Sequence, residues 1–269
     1  MAKDGGIGFL PGANGQWIKD QIKNQMLKVK ISAIILIGGN YDQKLLAKCL
    51  DSLSWADEII KVETDNLKGS FSDWRNAGAE KAHGDWLFYV DSDEFVTSDL
   101  KQEILSVIEN CKLKIVNSAF TIPRRNILLG HEMHYGGWWP DYVLRLIKKD
   151  SLVKWERELH EQPKIKGKVG KLNSPLFHNS HRTLTEMIDK TNAWSEVEAE
   201  LLFKSGHPQM VWWRFFTVAG REFWYRGIVK LGFLDGPIGI IEIIYQMYSR
   251  MITYAKLWEL QLKHEGDNL

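Results

Sequence analysis

The sequence has only two cysteines, no long apolar run and almost no net charge. Cys49 and Cys111 lie in apolar segments without metal-ligand spacing, which excludes a disulfide scaffold and favours a reduced, cytoplasmic setting. No uninterrupted apolar stretch reaches the ~18–20 residues that a membrane-spanning helix needs. The formal net charge of +1 lacks the basic excess typical of a general nucleic-acid binder. We therefore expect a protein that neither crosses a bilayer nor binds nucleic acid.

The first half of the chain alternates between strand-like and helix-like segments. Residues 29–37 form a nearly continuous apolar run, as in a strand that is buried on both faces. Two further strand-like runs follow at 59–63 and 85–90, and apolar residues at helical spacing lie between and after them. This rhythm predicts an α/β fold with a mostly parallel, Rossmann-like sheet flanked by helices.

The pattern divides the chain into three parts. Residues 1–28 are glycine-rich, lack the apolar core of a signal peptide and are expected to form a flexible lead. Residues 29–182 carry the strand-like runs and are predicted to form the α/β domain. Residues 183–269 are predicted to form an aromatic-rich helical extension.

Acidic residues follow the third strand-like run directly. Asp91 and Asp93 stand one residue apart, and Glu94 comes next. In open α/β sheets ligands bind beyond the carboxyl ends of the strands, and paired carboxylates there suit a hard divalent cation that also holds phosphates. The alternative is a strand that leaves the core into an acidic, solvated turn. The Asp-x-Asp pattern alone does not decide between them.

A set of short motifs, taken in order, resembles the family 2 glycosyltransferases of the GT-A fold. Within that family the chain is similar to the lipopolysaccharide-core β-glucosyltransferase-like group. The matching segments run through most of residues 29–260: 31–37, 50–60, 75–78, 84–94, 136–142, 144–146, 159–161, His178 and 232–236.

The resemblance implies an inverting transfer of a sugar from a nucleoside diphosphate, most simply a UDP-sugar, with Mg²⁺ or Mn²⁺. It identifies Asp93 as the direct metal ligand and places Asp91 near the ribose or a metal-bound water. It also suggests His178, in preference to His181, as a further ligand. Imidazole suits Mn²⁺ better than Mg²⁺.

An inverting transfer needs a base that takes the proton of the attacking hydroxyl. The resemblance implies Glu161 for this role, with Asp141 as the second choice. An exposed acid on an amphipathic strand is the structural alternative for Glu161. His160 is expected to contact the diphosphate or to orient Glu161.

Three residues are expected to contact the nucleotide. Glu63 stands where the family usually has an aspartate that binds the base, while Arg75 and Asn76 lie near the start of the next helix. The chain departs from the family at 38–42 and has a shorter segment between Glu63 and Phe71. Both departures adjoin the nucleotide, so the identity of the donor stays open.

Residues 203–258 combine many aromatic side chains with interleaved arginines and a lysine. A basic helix that carries Trp and Phe is typical of a membrane-surface contact. Packing against the sheet or self-association is the alternative. The leading hypothesis is thus a metal-dependent glycosyltransferase at the inner face of the cell membrane, acting on an envelope glycan or lipid-linked saccharide.

Two other functional classes share this fold. A catalytically silent GT-A domain that serves as a membrane-bound scaffold would account for the altered nucleotide segments. A nucleotidyltransferase would need a basic glycine loop after the first strand, and Gly38-Gly39 has no arginine nearby.

Overall fold

The central sheet begins with three parallel strands. The computed structural model describes residues 29–39, 41–65, 68–113, 117–157 and 161–266. Strand β1 (Ile31–Ile37) lies between β2 (Glu58–Glu63) and β3 (Trp86–Asp91). All seven residues of β1 are buried, which agrees with the unbroken apolar run in the sequence. Because the three strands are parallel, their carboxyl ends meet at one edge of the sheet.

Beyond β3 the sheet becomes mixed. Strand β7 (Asp141–Lys148) runs antiparallel to both β3 and β5 (Ala119–Leu128). Strand β11 (Leu176–His181) runs parallel to β5, and β4 (Glu94–Val96) closes the order β2-β1-β3-β7-β5-β11-β4. The predicted α/β class is confirmed, with parallel pairing confined to part of the sheet. Shorter strands are β6 (His131–Glu132), β8 (Leu152–Glu156), β9 (Gln162–Ile165) and β10 (Val169–Lys171).

Helices cover both faces of the sheet. They are α1 (Gln43–Ser52), α2 (Phe71–Lys81) and α3 (Ser98–Leu113). Ser72 looks like the N-cap of α2 in the sequence, but Ser70 caps it and forms a capping box with Asp73. The Ser72 hydroxyl instead donates to the carbonyl of Arg157 and so ties α2 to the segment after β8.

The core is divided between the two faces of the sheet. Ile31, Ala33 and Ile35 of β1 pack into one apolar cluster, while Ile34 and Leu36 pack into the other. This alternation follows from the two-residue period of a strand. The sheet therefore holds the ends of β1 and β3 rigidly.

A helical extension follows β11. It consists of α4 (Leu184–Lys204), α5 (Trp213–Glu222), a π-helical turn (Phe223–Val229), a 3-10 turn (Gly232–Asp235) and α6 (Gly236–Gly266). Helices α4 and α6 pack together through buried Ala199 and Leu257. None of the helices in the described part of the chain combines the length and apolar character that a bilayer span requires. The predicted lead, residues 1–28, lies outside the described residues.

Candidate active site

The acidic motif lies at the carboxyl end of β3, on the edge of a large cleft. Asp91 is the last residue of β3, and Glu94 is the first of β4, so Asp93 lies in the turn between them. Asp91, Ser92 and Asp93 all line a cleft of about 640 Å³. Other parts of its wall come from the ends of β1, β2 and β11 and from one side of α4: Gly38, Gly39, Thr64, His178, His181, Arg182, Glu186 and Lys190.

Two arginines hold the carboxylate of Asp91. Arg75 Nη2 donates to Asp91 Oδ1 at 2.9 Å, and Arg145 Nη2 donates to Oδ2. Both arginines are almost fully buried. Burial would raise the pKa of Asp91, but the charges of Arg145 and Arg75 outweigh that effect and hold the pKa well below its ordinary value. Asp91 is therefore charged across the physiological range, and both of its oxygens accept from arginine while its side chain stays 29% exposed at the cleft.

The two arginines belong to a longer chain of alternating charges. Arg145 also donates to the buried Glu94 at 2.8 Å, and a second carboxylate oxygen of Glu94 accepts the backbone N–H of Asp91. Arg124 lies 3.5 Å from Glu94 and bonds Asp141 at 2.7 Å. At the other end Arg75 bonds Glu161 at 3.1 Å. The complete chain is Glu161–Arg75–Asp91–Arg145–Glu94–Arg124–Asp141.

Asp93 points the other way, toward His178. Its side chain is one-third exposed, and its Oδ2 lies 3.5 Å from His178 Nε2. His178 Nδ1 lies 2.7 Å from Oδ1 of the fully buried Asn126. The structure thus brings Asp93 and His178 together on the cleft, which Asp91 also lines.

The bonds of Asn126 fix the proton on His178. The amide nitrogen of Asn126 donates to the carbonyl of Trp138 at 3.3 Å and to Asp141 at 3.2 Å, so its oxygen faces His178. An amide oxygen only accepts, so His178 Nδ1 carries hydrogen and, in the neutral ring, Nε2 presents a lone pair to Asp93. Two acceptors then face each other, an arrangement that a cation or a proton between them would stabilise.

Neither candidate base lines the cleft. Glu161 and Asp141 occupy the two ends of the ion chain, with side chains 21% and 29% exposed. All hydrogen bonds to Asp141 from the described residues reach Oδ2, from Arg124 and Asn126. Asn126 therefore links Asp141 directly to His178. His160 lies outside the described residues.

The three predicted nucleotide contacts are placed differently from the expectation. Asn76 bonds both backbone groups of Trp155, at 3.1 and 2.8 Å, so its amide anchors β8 rather than facing the cleft. Arg75 is buried under Trp155 and is engaged by the acids of the ion chain. Glu63 is exposed at the end of β2, and the next residue, Thr64, lines the cleft instead.

The glycine pair after β1 has a steric explanation. A Cβ on Gly38 would lie 1.8 Å from the Thr64 hydroxyl, and Gly39 adopts a φ of +63°. Its backbone N–H donates to Asp65 at 2.6 Å. Gly38 and Gly39 therefore allow close packing between the ends of β1 and β2.

The wall opposite β3 comes from the end of β11 and the start of α4. Arg182 bonds Asp42, the N-cap of α1, at 3.1 Å and Glu186 at 2.6 Å, which joins this wall to α1. Burial lowers the pKa of His181 to about 4, so that ring is neutral at pH 7. His181 thus cannot take the place of a cationic contact to a phosphate.

Sequence inspection missed the partners that organise the site. Arg124, Arg145 and Asn126 are polar residues within strand-like segments, and that position predicts a buried group with a specific partner. Their partners lie 12 to 54 residues away, and no local pattern identifies contacts at such separations.

The known proteins to which this chain is similar are described as glycosyltransferases. Residues 7–127 match the model described as glycosyltransferase like family 2, which is less than half of the chain. An uncharacterized glycosyltransferase of Rickettsia conorii is 22% identical over 90% of this chain and 95% of its own length. Another, from Rickettsia typhi, is 23% identical over 80% of this chain and 78% of its own length.

The solved structures with a similar fold are more distant in sequence. Staphylococcus aureus TarS 1–349 in complex with UDP-GlcNAc has a TM-score of 0.39 and 11% identity, covering 88% of this chain and 92% of that one. Another crystal structure of TarS 1–349 gives a TM-score of 0.37. Through residues 7–127 the chain is similar to the glycosyltransferase-like family 2 model, and along most of its length it is similar to proteins named as glycosyltransferases.

Proposed function

We propose that this protein transfers a sugar, with inversion, from a nucleoside diphosphate donor to a saccharide acceptor. The observation that carries the proposal is the pairing of Asp93 with His178 on a cleft at the carboxyl edge of the parallel strands. Ligands of α/β proteins bind at this edge. The match to the glycosyltransferase-like family 2 model supports the reaction class. A UDP-sugar is the proposed donor.

The residues fit a divalent metal that the substrate helps to hold. Asp93 supplies a carboxylate and His178 a lone pair on Nε2, which Asn126 orients as metal-bound histidines require. Among the described residues no group of three or more His, Cys, Asp or Glu is arranged around one metal position. Mg²⁺ and Mn²⁺ bind through one or two protein groups together with waters and phosphate oxygens. When bound, the metal would neutralise the charge that the leaving diphosphate gains.

The chain's own residues perform the remaining steps. Asp93 and His178 would hold the metal to which the diphosphate end of the donor binds, while the arginines of the ion chain neutralise Asp91 at the edge of the cleft. Asp141 or Glu161 takes the proton of the attacking hydroxyl. The bond from Asn126 to Asp141 favours Asp141, because it places that acid one side chain from His178.

The binding experiment measures UDP affinity by calorimetry with and without Mn²⁺. Wild-type protein should bind UDP at least tenfold more tightly with Mn²⁺, and Mn²⁺ more tightly with UDP, because each completes the other's site. Asp93→Asn should remove this coupling. Glu200→Gln, an exposed acid on α4 that pairs with Lys204 and does not line the cleft, serves as the acid control that keeps it. Equal UDP affinity with and without metal in the wild type would refute the metal-dependent proposal.

One observation favours a second candidate, the silent scaffold. The first acid of the motif is held by two buried arginines, an arrangement that stabilises the fold without any ligand. A scaffold would bind neither UDP nor Mn²⁺, so the same calorimetry separates the two functions.

We also propose that the protein acts at the inner face of the cell membrane. The helical extension exposes large aromatic side chains: Trp212 is 68% exposed, Phe216 72% and Trp224 62%. The segment 212–231 contains four cations and one acid, Glu222, which bonds Arg226 at 3.2 Å. Exposed aromatics with cationic neighbours fit an anionic membrane surface.

A further inference from the structure

A groove in the helical extension is lined by apolar groups. It has a volume of about 410 Å³ and lies between the π-helical turn and α6. That volume falls within the roughly 300–1,000 Å³ of small-molecule sites. The lining includes Phe223, Gly227, Ile228, Phe233, Ile240 and Ile244.

The chemistry of the groove fits a hydrocarbon chain. Its lining side chains offer no hydrogen-bonding group, whereas protein interfaces carry about one hydrogen bond per 100–200 Å². Phe223 is 48% exposed and Ile244 60%, so apolar surface faces solvent over the groove's length. Exposed apolar patches of this kind mark interaction sites.

The charges that flank the groove are complementary to an anionic headgroup. Arg221 and Lys230 are exposed on either side of the π-helical turn. Among the acids of the same region, Asp235 and Glu242 are buried, and Glu222 is paired with Arg226 and Arg250. Exposed cations at both ends of the segment that forms one wall of the groove therefore favour an amphiphile with a negative head.

The groove also adjoins the loop that leads to Asp141. The backbone N–H of Gly136 donates to the Lys230 carbonyl at 2.9 Å. A Cβ on Gly232 would lie 3.2 Å from Gly136 Cα and 3.3 Å from Ile243, a residue of the groove wall. Gly232 thus lies between the wall of the groove and this loop.

We propose that this groove holds the hydrocarbon chain of the lipid that carries the acceptor sugar, with the lipid phosphate at Arg221 and Lys230. The identity of the acceptor rests on the proposed glycosyltransferase function. Binding in the groove itself needs neither metal nor nucleotide, so the two can be tested separately.

The probe is dodecyl phosphate, used as monomer below its critical micelle concentration and measured by calorimetry. Decyl and butyl phosphate test the contribution of the chain, and dodecyl phosphocholine tests that of the head. Each buried methylene should tighten binding by up to roughly fourfold. Butyl phosphate should not bind measurably, and the phosphocholine should bind more weakly than the phosphate.

A glycine in the groove allows the space to be filled. A Cβ on Gly227 would meet Ile243 at 3.6 Å and the Phe223 ring at 3.9 Å, ordinary contacts that the backbone accepts. Gly227→Leu should therefore occupy the groove and weaken dodecyl phosphate binding at least tenfold. The matched control is Gly220→Leu on α5, where an added Cβ meets nothing within 4 Å. It should bind like the wild type.

Three results would overturn the inference: no dependence on chain length, equal binding by Gly227→Leu and wild type, or equal loss in both leucine variants. UDP binding with Mn²⁺ is measured on the same samples. If the wild-type protein binds dodecyl phosphate but not UDP with Mn²⁺, the glycosyltransferase proposal is refuted and the lipid site stands. If it binds UDP with Mn²⁺ but not dodecyl phosphate, the groove proposal is refuted and the enzyme stands.

Discussion

At the scale of single residues, Asn126 links the two halves of the site. One buried amide accepts from His178 and donates to Asp141, so it sets both the tautomer of the proposed metal ligand and the position of a proposed base. Residues that orient a metal ligand typically change metal affinity 10–100-fold when they are replaced.

We expect Asn126→Ala to weaken Mn²⁺ binding in the presence of UDP by that factor, because His178 loses the group that keeps its proton on Nδ1. Mn²⁺ electron paramagnetic resonance measures free metal directly and needs no turnover. Asn173→Ala is the control, since that exposed amide contacts Glu103 at a distance from the cleft. Wild-type affinity in a folded Asn126→Ala protein would rule out this role.

Arg145 is the residue on which the ion chain depends most. It is buried between Asp91 and Glu94, and those acids raise its pKa above the ordinary value against the effect of burial. Removing one partner of a buried ion pair leaves charge uncompensated, which costs about 3–5 kcal/mol.

Arg145→Met should therefore lose about 3–5 kcal/mol of unfolding free energy at pH 7, measured with urea. The pKa of Asp91 is lowered in the fold, so its stabilisation is present above the ordinary pKa near 3.8 and is lost as the pH falls below it. The difference in unfolding free energy between wild type and Arg145→Met should therefore decrease below pH 4. Lys154→Met, which removes an exposed pair with Glu156, should cost at most about 1 kcal/mol. A constant gap down to pH 3 would contradict the assignment.

At the scale of elements, α6 carries a buried acid against the loop that precedes Asp141. Burial raises the pKa of Glu242 to about 7, only partly offset by a bond from Gln246 and the charge of Arg226. Between its ordinary pKa of 4.5 and about 7, the folded state holds a proton that the unfolded state has released. Stability therefore falls as the pH rises through this window.

Glu242→Gln stays neutral and should remove that dependence. The unfolding free energy of wild type relative to the variant should fall by about 3 kcal/mol between pH 4.5 and pH 7.5, as the pKa difference implies. Comparing two pH values cancels any fixed cost of the substitution. For the exposed Glu200→Gln, the unfolding free energy of wild type relative to the variant should change by less than about 1 kcal/mol between the same two pH values. A pH-independent difference for Glu242→Gln would show that the acid is charged in the fold.

Some elements of the fold are predictable from the sequence, and others are not. Strands β1 and β3 were predicted because both of their faces are buried, which leaves an apolar run that is visible along the chain. The pairing of Asp93 with His178 was anticipated from the family resemblance. The two arginines on Asp91 were not, because each pairs with a distant residue and no local pattern records such pairs. Likewise, the contacts of Asn76 with Trp155 depend on where β8 folds back.

At the scale of the whole molecule, the sheet and the extension present different surfaces. The cleft combines acids, histidines and Arg182 with the aromatic side chains of Phe71 and Trp74, while the extension exposes mainly aromatic and aliphatic groups. The extension meets the α/β part of the chain where Gly232 lies next to Gly136, in the loop before Asp141. The proposed membrane-anchored acceptor would therefore approach Asp141 from the side of the extension.

Flotation with vesicles tests this arrangement for the complete chain. Trp212 and Phe216 are the most exposed aromatics of α5 and its N-cap, so replacing both with serine should lower binding to anionic vesicles more than tenfold. Leu105→Ser, on α3 and 43% exposed, should leave binding unchanged. Because the neighbouring cations act on the headgroups, raising the salt from 0.1 to 1 M should weaken wild-type binding. Equal loss in the Leu105 variant, or equal binding to neutral and anionic vesicles, would place the membrane contact elsewhere or exclude it.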